Sequence, residues 1–178
     1  MKNVLRLMVL MILMVVGFAS IASPSNAQVP YVTHTATIHS SVSNGSSSVT
    51  WTDSATWQSV AGGAVGRNQG VLYLIVYNLS NSELLDLPVS TTVYNPSQDG
   101  WYAVYNGSYI NVGDNQNITN LNDFVRQGAN SNGTPLAAGS YKVRWQVRIA
   151  AKTLIGSTVY NSPLTKWDSV FYPITILN

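Results

Sequence analysis

Apolar and polar positions alternate over residues 31–42, where Val32, Ala36, Ile38 and Val42 fall on one face and Thr33, Thr35, Thr37 and His39 on the other. A period of two predicts a half-buried strand. The Asn44-Gly45 pair that follows suits a hairpin turn into residues 46–57. The clearest alternation lies in residues 141–149: Tyr141, Val143, Trp145, Val147 and Ile149 form a core face, and Lys142, Arg144, Gln146 and Arg148 a solvated one. Residues 71–77 are apolar on both faces, so one face enters a core and the other needs a cover, be it a loop, an extra strand or a neighbouring molecule. Before them, AGGAVGRNQG at 61–70 reads as a glycine-rich loop. Two aromatic-rich runs joined by Asn106-Gly107 predict a hairpin over 101–113, and residues 121–127 a short helical turn ended by Gly128. Residues 158–164 and 168–178 add two strands, with Pro173 indicating an edge or a bulge. Many short strands with no fixed-period repeat predict an all-β fold, a single antiparallel sandwich.

A different pattern stands ahead of these strands. Lys2 and Arg6, an apolar run over 7–19, and small residues Ser25 and Ala27 make up the three-part plan of a secretory signal cleaved before Gln28. The run is shorter than the roughly 20 residues that cross a bilayer, so the mature chain is expected to be secreted and to carry no membrane span. The chain then divides into a signal peptide (1–27), an amino-terminal strand (28–43) and a β-sandwich domain (44–178). Setting Lys2 and Arg6 aside from the nine basic residues leaves seven, matching the seven acidic ones. A neutral chain has no electrostatic footprint for nucleic acid, and low net charge favours association. There is no cysteine, so packing, assembly or glycans must supply what disulfides give other secreted domains. Asn44, Asn78, Asn106, Asn117 and Asn132 each open an Asn-x-Ser/Thr acceptor, and three of them precede glycine at expected turns.

At residues 136–147, LAAGSYKVRWQV resembles the tyrosine corner of immunoglobulin-like and fibronectin-like sandwiches, with Leu136, Gly139 and Tyr141 leading into a long core strand. Residues 74–94, LIVYNLSNSELLDLPVSTTVY, resemble the paired strands of CARDB-type extracellular immunoglobulin-like modules, although the Cys…Trp…Cys pattern of antibody domains is absent. These resemblances imply an immunoglobulin-like sandwich. The whole arrangement of signal, cysteine-free sandwich, dense acceptor sites and strand-like amino terminus is similar to subunits of archaeal thread-type surface filaments, and more distantly to bundling pili. That likeness implies head-to-tail self-association, with Val32, Ala36 and Ile38 of a donated strand entering a neighbour's core and satisfying its open ladder. Such a heterologous contact does not close, so it builds a filament.

The side chains that carry chemistry are sparse. His34 and His39 are five apart and fall on opposite strand faces, Glu83 is the only glutamate, and no GxSxG elbow occurs. No catalytic, cofactor or metal residue is assigned, and the chain is read as a non-enzyme. Asp114, Asn115, Asn117 and Asp123 offer oxygen ligands of the kind calcium accepts, but they lack EF-hand spacing and are read as a solvated turn. Trp51 and Trp57, with Trp101, Tyr102, Tyr105 and Tyr109, are candidates for stacking on sugar rings. They support the second reading, a monomeric secreted glycan-binding or adhesive module.

Overall fold

The computed structural model describes residues 29–43, 45–90 and 100–177. The expected signal segment and the acceptor at Asn44 lie outside them. The described residues form ten strands and one helix: β1 (Tyr31–Ser43), β2 (Ser46–Gln58), β3 (Val65–Tyr77), β4 (Glu83–Pro88), β5 (Tyr102–Ala103), β6 (Tyr109–Ile118), α1 (Leu121–Ser131), β7 (Gly139–Ile155), β8 (Thr158–Asn161), β9 (Thr165–Asp168) and β10 (Tyr172–Ile176). The fold is the expected all-β antiparallel sandwich. One sheet has the order β1-β2-β6; the other has β10-β7-β3-β4, with β5 on β3 and β8 and β9 on β7.

In the smaller sheet, β1 pairs with β2 over thirteen residues, from Tyr31↔Gln58 to Ser43↔Ser46. The amino-terminal strand is therefore paired within its own chain. β1 is an outermost strand, and its inward residues, Val32, His34, Ala36, Ile38, Ser40 and Val42, are all only half-buried. On β2, by contrast, the inward Val49, Trp51, Ala55 and Trp57 are fully buried. In the larger sheet, β3 and β7 pair over thirteen residues. β10, β9 and β8 follow one another along the opposite edge of β7. Where the ladder is interrupted between them, serine completes it. Ser169 Oγ accepts the Trp145 N–H and Ser162 Oγ the Ala151 N–H, at 2.9 and 2.8 Å. Pro173 sits on edge strand β10, where its missing N–H leaves no gap in an inner ladder.

Two apolar clusters fill the space between the sheets. The larger gathers Trp51 from one sheet with Leu72, Leu74, Val143, Trp145 and Val147 from the other; the smaller gathers Trp57, Ala55, Val104, Ile110 and Ala151. Two indoles also stitch the sheets together: Trp57 Nε1–H donates to Thr153 Oγ1 at 2.7 Å and Trp145 Nε1–H to Ser47 Oγ at 2.9 Å. Buried indoles need such partners, and these two have them.

Several local expectations change. The glycine-rich stretch is not wholly a loop, because residues 65–70 belong to β3. There Gly66 and Gly70 face inward, under Trp57 and Trp51; a Cβ at Gly66 would come within 2.7 Å of the Trp57 ring, and one at Gly70 would overlap Trp51. Their role is to make room for indoles. The expected 101–113 hairpin is a crossover instead. The turn forms, with Ser108 N–H on Tyr105 O at 2.9 Å, but β5 pairs with β3 while β6 pairs with β2. Residues 113–118, expected as a turn, extend β6. The helix does not stop at Gly128 but runs to Ser131, capped at its start by Asn120 Oδ1, which accepts from Asp123 N at 3.1 Å. Gly128 lies inside it because a Cβ there would come within 2.7 Å of Leu87.

The apolar outer face of β3 is covered by the chain itself. Arg148 lies over the Tyr73 ring at 3.9 Å and pairs with Asp86 at 2.5 Å; Arg144 lies over Tyr77 and Phe171, each at 5.1 Å, and pairs with Asp168 at 3.0 Å. The cationic face of β7, expected to be solvated, is a lid of guanidinium groups on aromatic rings. At the turn into β7, the Tyr141 hydroxyl donates to Ala137 O at 2.9 Å, the bond expected of a tyrosine corner.

Candidate functional site

Alternation sends His34 inward from β1 and Asp53 inward from β2, and the register that pairs Ala36 with Asp53 sets them diagonally across the two strands. His34 Nδ1 lies 2.9 Å from Asp53 Oδ2, with side chains 4% and 0% exposed. A carboxylate only accepts, so Nδ1 carries a proton and donates it; in the neutral imidazole Nε2 is then the acceptor. Nε2 faces Ser162 Oγ at 3.5 Å, across the gap between the sheet edges. From β3, Asn68 Nδ2 donates to the same Asp53 Oδ2 at 2.6 Å. The Trp167 ring of β9 packs edge-on to the imidazole, centroids 6.1 Å apart. The site thus draws on β1, β2, β3, β9 and the β8–β9 connection.

This polar group interrupts the core. Along β2, Asp53 stands between Trp51 of the larger cluster and Ala55 of the smaller; along β3, Asn68 stands between Gly70 and Gly66, the positions under Trp51 and Trp57. Asp53 Oδ1 and Asn68 Oδ1 are buried without hydrogen-bond partners. Each such oxygen costs on the order of 1–3 kcal/mol, so the arrangement is more polar than packing alone would select. Chemically it aligns a hydroxyl, an imidazole and an oriented, buried carboxylate.

The residues singled out from sequence fall elsewhere. Trp51 and Trp57 are 1% and 0% exposed. The expectation that they stack on sugars is corrected, because both rings are buried in the apolar clusters between the sheets, over Gly70 and Gly66. Val32, Ala36 and Ile38 lie on the inner face of β1, half-buried against the two clusters. Asn106, Asn117 and Asn132 are exposed and Asn78 is half-buried, its Oδ1 accepting from Ser82 N at 2.8 Å in the β3–β4 turn. The oxygen ligands considered for calcium do not converge. Asp114 binds Asn115 N and Gln116 Nε2, Asp123 serves the helix start, and no group of three or more His, Asp or Glu side chains gathers among the described residues. His39 is exposed on the opposite face from His34.

The sequence, with no GxSxG elbow and no catalytic residue assigned, does not announce the Ser162–His34–Asp53 alignment. One signal for two of its members was present: His34 and Asp53 both occupy the apolar phase of an alternating strand. A shallow apolar groove of about 300 Å³ also lies at the β1–β2 turn end of the molecule, lined by Val42, Leu121, Pro173 and Ile174 among others. Among the described residues no helix is long and apolar enough to cross a membrane.

Comparison with known proteins adds little. No family model and no curated relative matches. Among solved structures, the chain is similar to a protein from Archaeoglobus fulgidus at 13% identity, covering 82% of this chain and 97% of that one with a TM-score of 0.32. It is also similar to a Bordetella pertussis structure described as ApaA at 6% identity, covering 83% and 95% with a TM-score of 0.33. Superpositions this loose assign neither family nor activity.

Proposed function

We propose that the protein is a structural subunit of an extracellular surface filament, exported and then joined head to tail through its amino-terminal strand. The observation that carries this reading is the state of β1: thirteen residues long, outermost in its sheet, and half-buried along its inward positions apart from the buried His34 side chain. A strand so placed can leave its own β2 and pair with the β2 of a second copy. The same ladder is remade, so the exchange costs no hydrogen bonds. Each fully buried aliphatic of the donated strand adds roughly 1.5–3 kcal/mol. Val29 and Tyr31 present exposed apolar side chains at the start of the strand. Exposed acceptors at Asn106, Asn117 and Asn132 would place glycans on the outside of such a fibre.

Negative-stain electron microscopy with size-exclusion chromatography of the secreted chain tests the reading. Thin unbranched fibres are expected, and removal of residues 29–43 should abolish them. A protein that stays monomeric at high concentration would sink the proposal. The second reading, a glycan-binding module, moves from the buried tryptophans to Tyr105 and Tyr109, which are 71% and 63% exposed on either side of the Asn106-Gly107 turn. Loss of glycan-array binding in a folded Tyr105→Ala variant would favour it.

A further inference from the structure

We infer that Ser162 is a nucleophile toward small acyl esters, with His34 as its general base and Asp53 holding the imidazole. The inference concerns the alignment within one chain; because His34 sits on β1, an exchanged β1 would bring a neighbour's imidazole to the same Asp53 and Ser162. The atoms stand in the order such chemistry requires: hydroxyl, Nε2, Nδ1–H, buried carboxylate. The 3.5 Å step from Oγ to Nε2 is long but within the range of ligand-free sites. Asn68 orients the carboxylate from behind, and Trp167 fixes the plane of the ring. Stability does not ask for this group, since it leaves Asp53 Oδ1 and Asn68 Oδ1 unpaired in the core. Ser162 itself is half-buried beside the exposed Pro163 and Leu164, at the surface end of the alignment.

In the reaction, Ser162 Oγ bonds to the ester carbonyl carbon as its proton passes to His34 Nε2. The imidazolium is stabilised by Asp53. The carbon–oxygen bond to the leaving alcohol then breaks, and the alcohol departs with the proton from Nε2. The acyl group remains on Ser162. Water, deprotonated by the neutral Nε2, attacks the acyl carbon; the acid leaves and Oγ regains its proton. Oγ also accepts the Ala151 N–H at 2.8 Å, which dampens its nucleophilicity, so slow turnover with an accumulating acyl-enzyme is expected.

Ser169 supplies an internal control. It accepts the Trp145 N–H with the same ladder geometry, and its hydroxyl donates to Val170 O at 2.8 Å with no imidazole in reach; Ser162 Oγ has the corresponding carbonyl, Pro163 O, at 3.3 Å and faces His34 Nε2 as well. Incubation of the mature protein with a fluorophosphonate, followed by peptide mass mapping, should place one adduct on Ser162 and none on Ser169. The adduct should vanish in Ser162→Ala. Labelling should slow roughly 100-fold in both His34→Gln and Asp53→Asn, with thermal melts verifying that each variant is folded. 4-Nitrophenyl acetate should give a burst of one equivalent of 4-nitrophenolate. Absence of an adduct, equal labelling of Ser162 and Ser169, or an unchanged rate in a folded His34→Gln protein would each overturn the inference.

Discussion

A methyl group is enough to test how the tryptophans are seated. At Gly70 it would overlap the Trp51 ring, which is fully buried and has no free space to withdraw into. Gly70→Ala is therefore expected to lose about 1–3 kcal/mol, read as a lowered midpoint in thermal or urea unfolding, whereas Gly62→Ala, with nothing near its Cβ, should be close to neutral. The hydrogen bonds of the indoles make a separate case. Trp57→Phe keeps much of the ring but leaves Thr153 Oγ1, in a residue 1% exposed, without its donor. The expected loss is about 1–3 kcal/mol for the stranded hydroxyl, beyond the cost of the smaller ring, and Trp57→Phe/Thr153→Val should recover part of it.

Strands differ in how openly their sequences announce them. β1, β2 and β7 each bury one face, so apolar residues mark every second position and the period survives in the chain. β3 hides its first half because Gly66 and Gly70 read as loop residues, and only the position of Trp51 and Trp57 on another strand explains them. The β5–β6 segment misled for a related reason. Asn106-Gly107 predicts a turn correctly, but which strand each arm joins is decided by long-range pairing that no local pattern encodes. The candidate site was half visible, through polar residues in the apolar phase at 34 and 53; Ser162 carries no such mark. That β3 needs a cover is legible, but its nature is not, because alternation tells which face a side chain takes, not whether an arginine there meets water or a ring. That cover predicts a modest energy. A double-mutant cycle on Arg148 and Asp86, whose side chains are 17% and 34% exposed, should give a coupling of about 0.5–1 kcal/mol. Arg148→Ala alone should lose more, through the stack on Tyr73.

Taken as one body, the molecule has a stability that alkali will probe through Tyr77. The residue is 5% exposed, and burial holds its pKa above the ordinary 10.0, with Arg144 pulling the other way. Below pH 10 both folded and unfolded chains keep the proton, and this residue gives no pH dependence. Above it the unfolded chain ionises first, so stability should fall as pH climbs toward the folded-state value. Tyr77→Phe should flatten that part of the curve in urea titrations at high pH, and absorbance at 295 nm should show one phenol titrating late.

The long register between β1 and β2 also sets how the molecule answers force. Tension drawn along β1 from its Ser43 end, where the chain continues into β2, runs parallel to a ladder of thirteen residue pairs. The bonds lie across the pull, so they are loaded together in shear and must yield together. The same strand drawn sideways would open pair by pair from one end, each step opposed by only one or two bonds. A subunit linked through this strand would be strong lengthwise and easily peeled from the side, a mechanical asymmetry written into the antiparallel pairing itself.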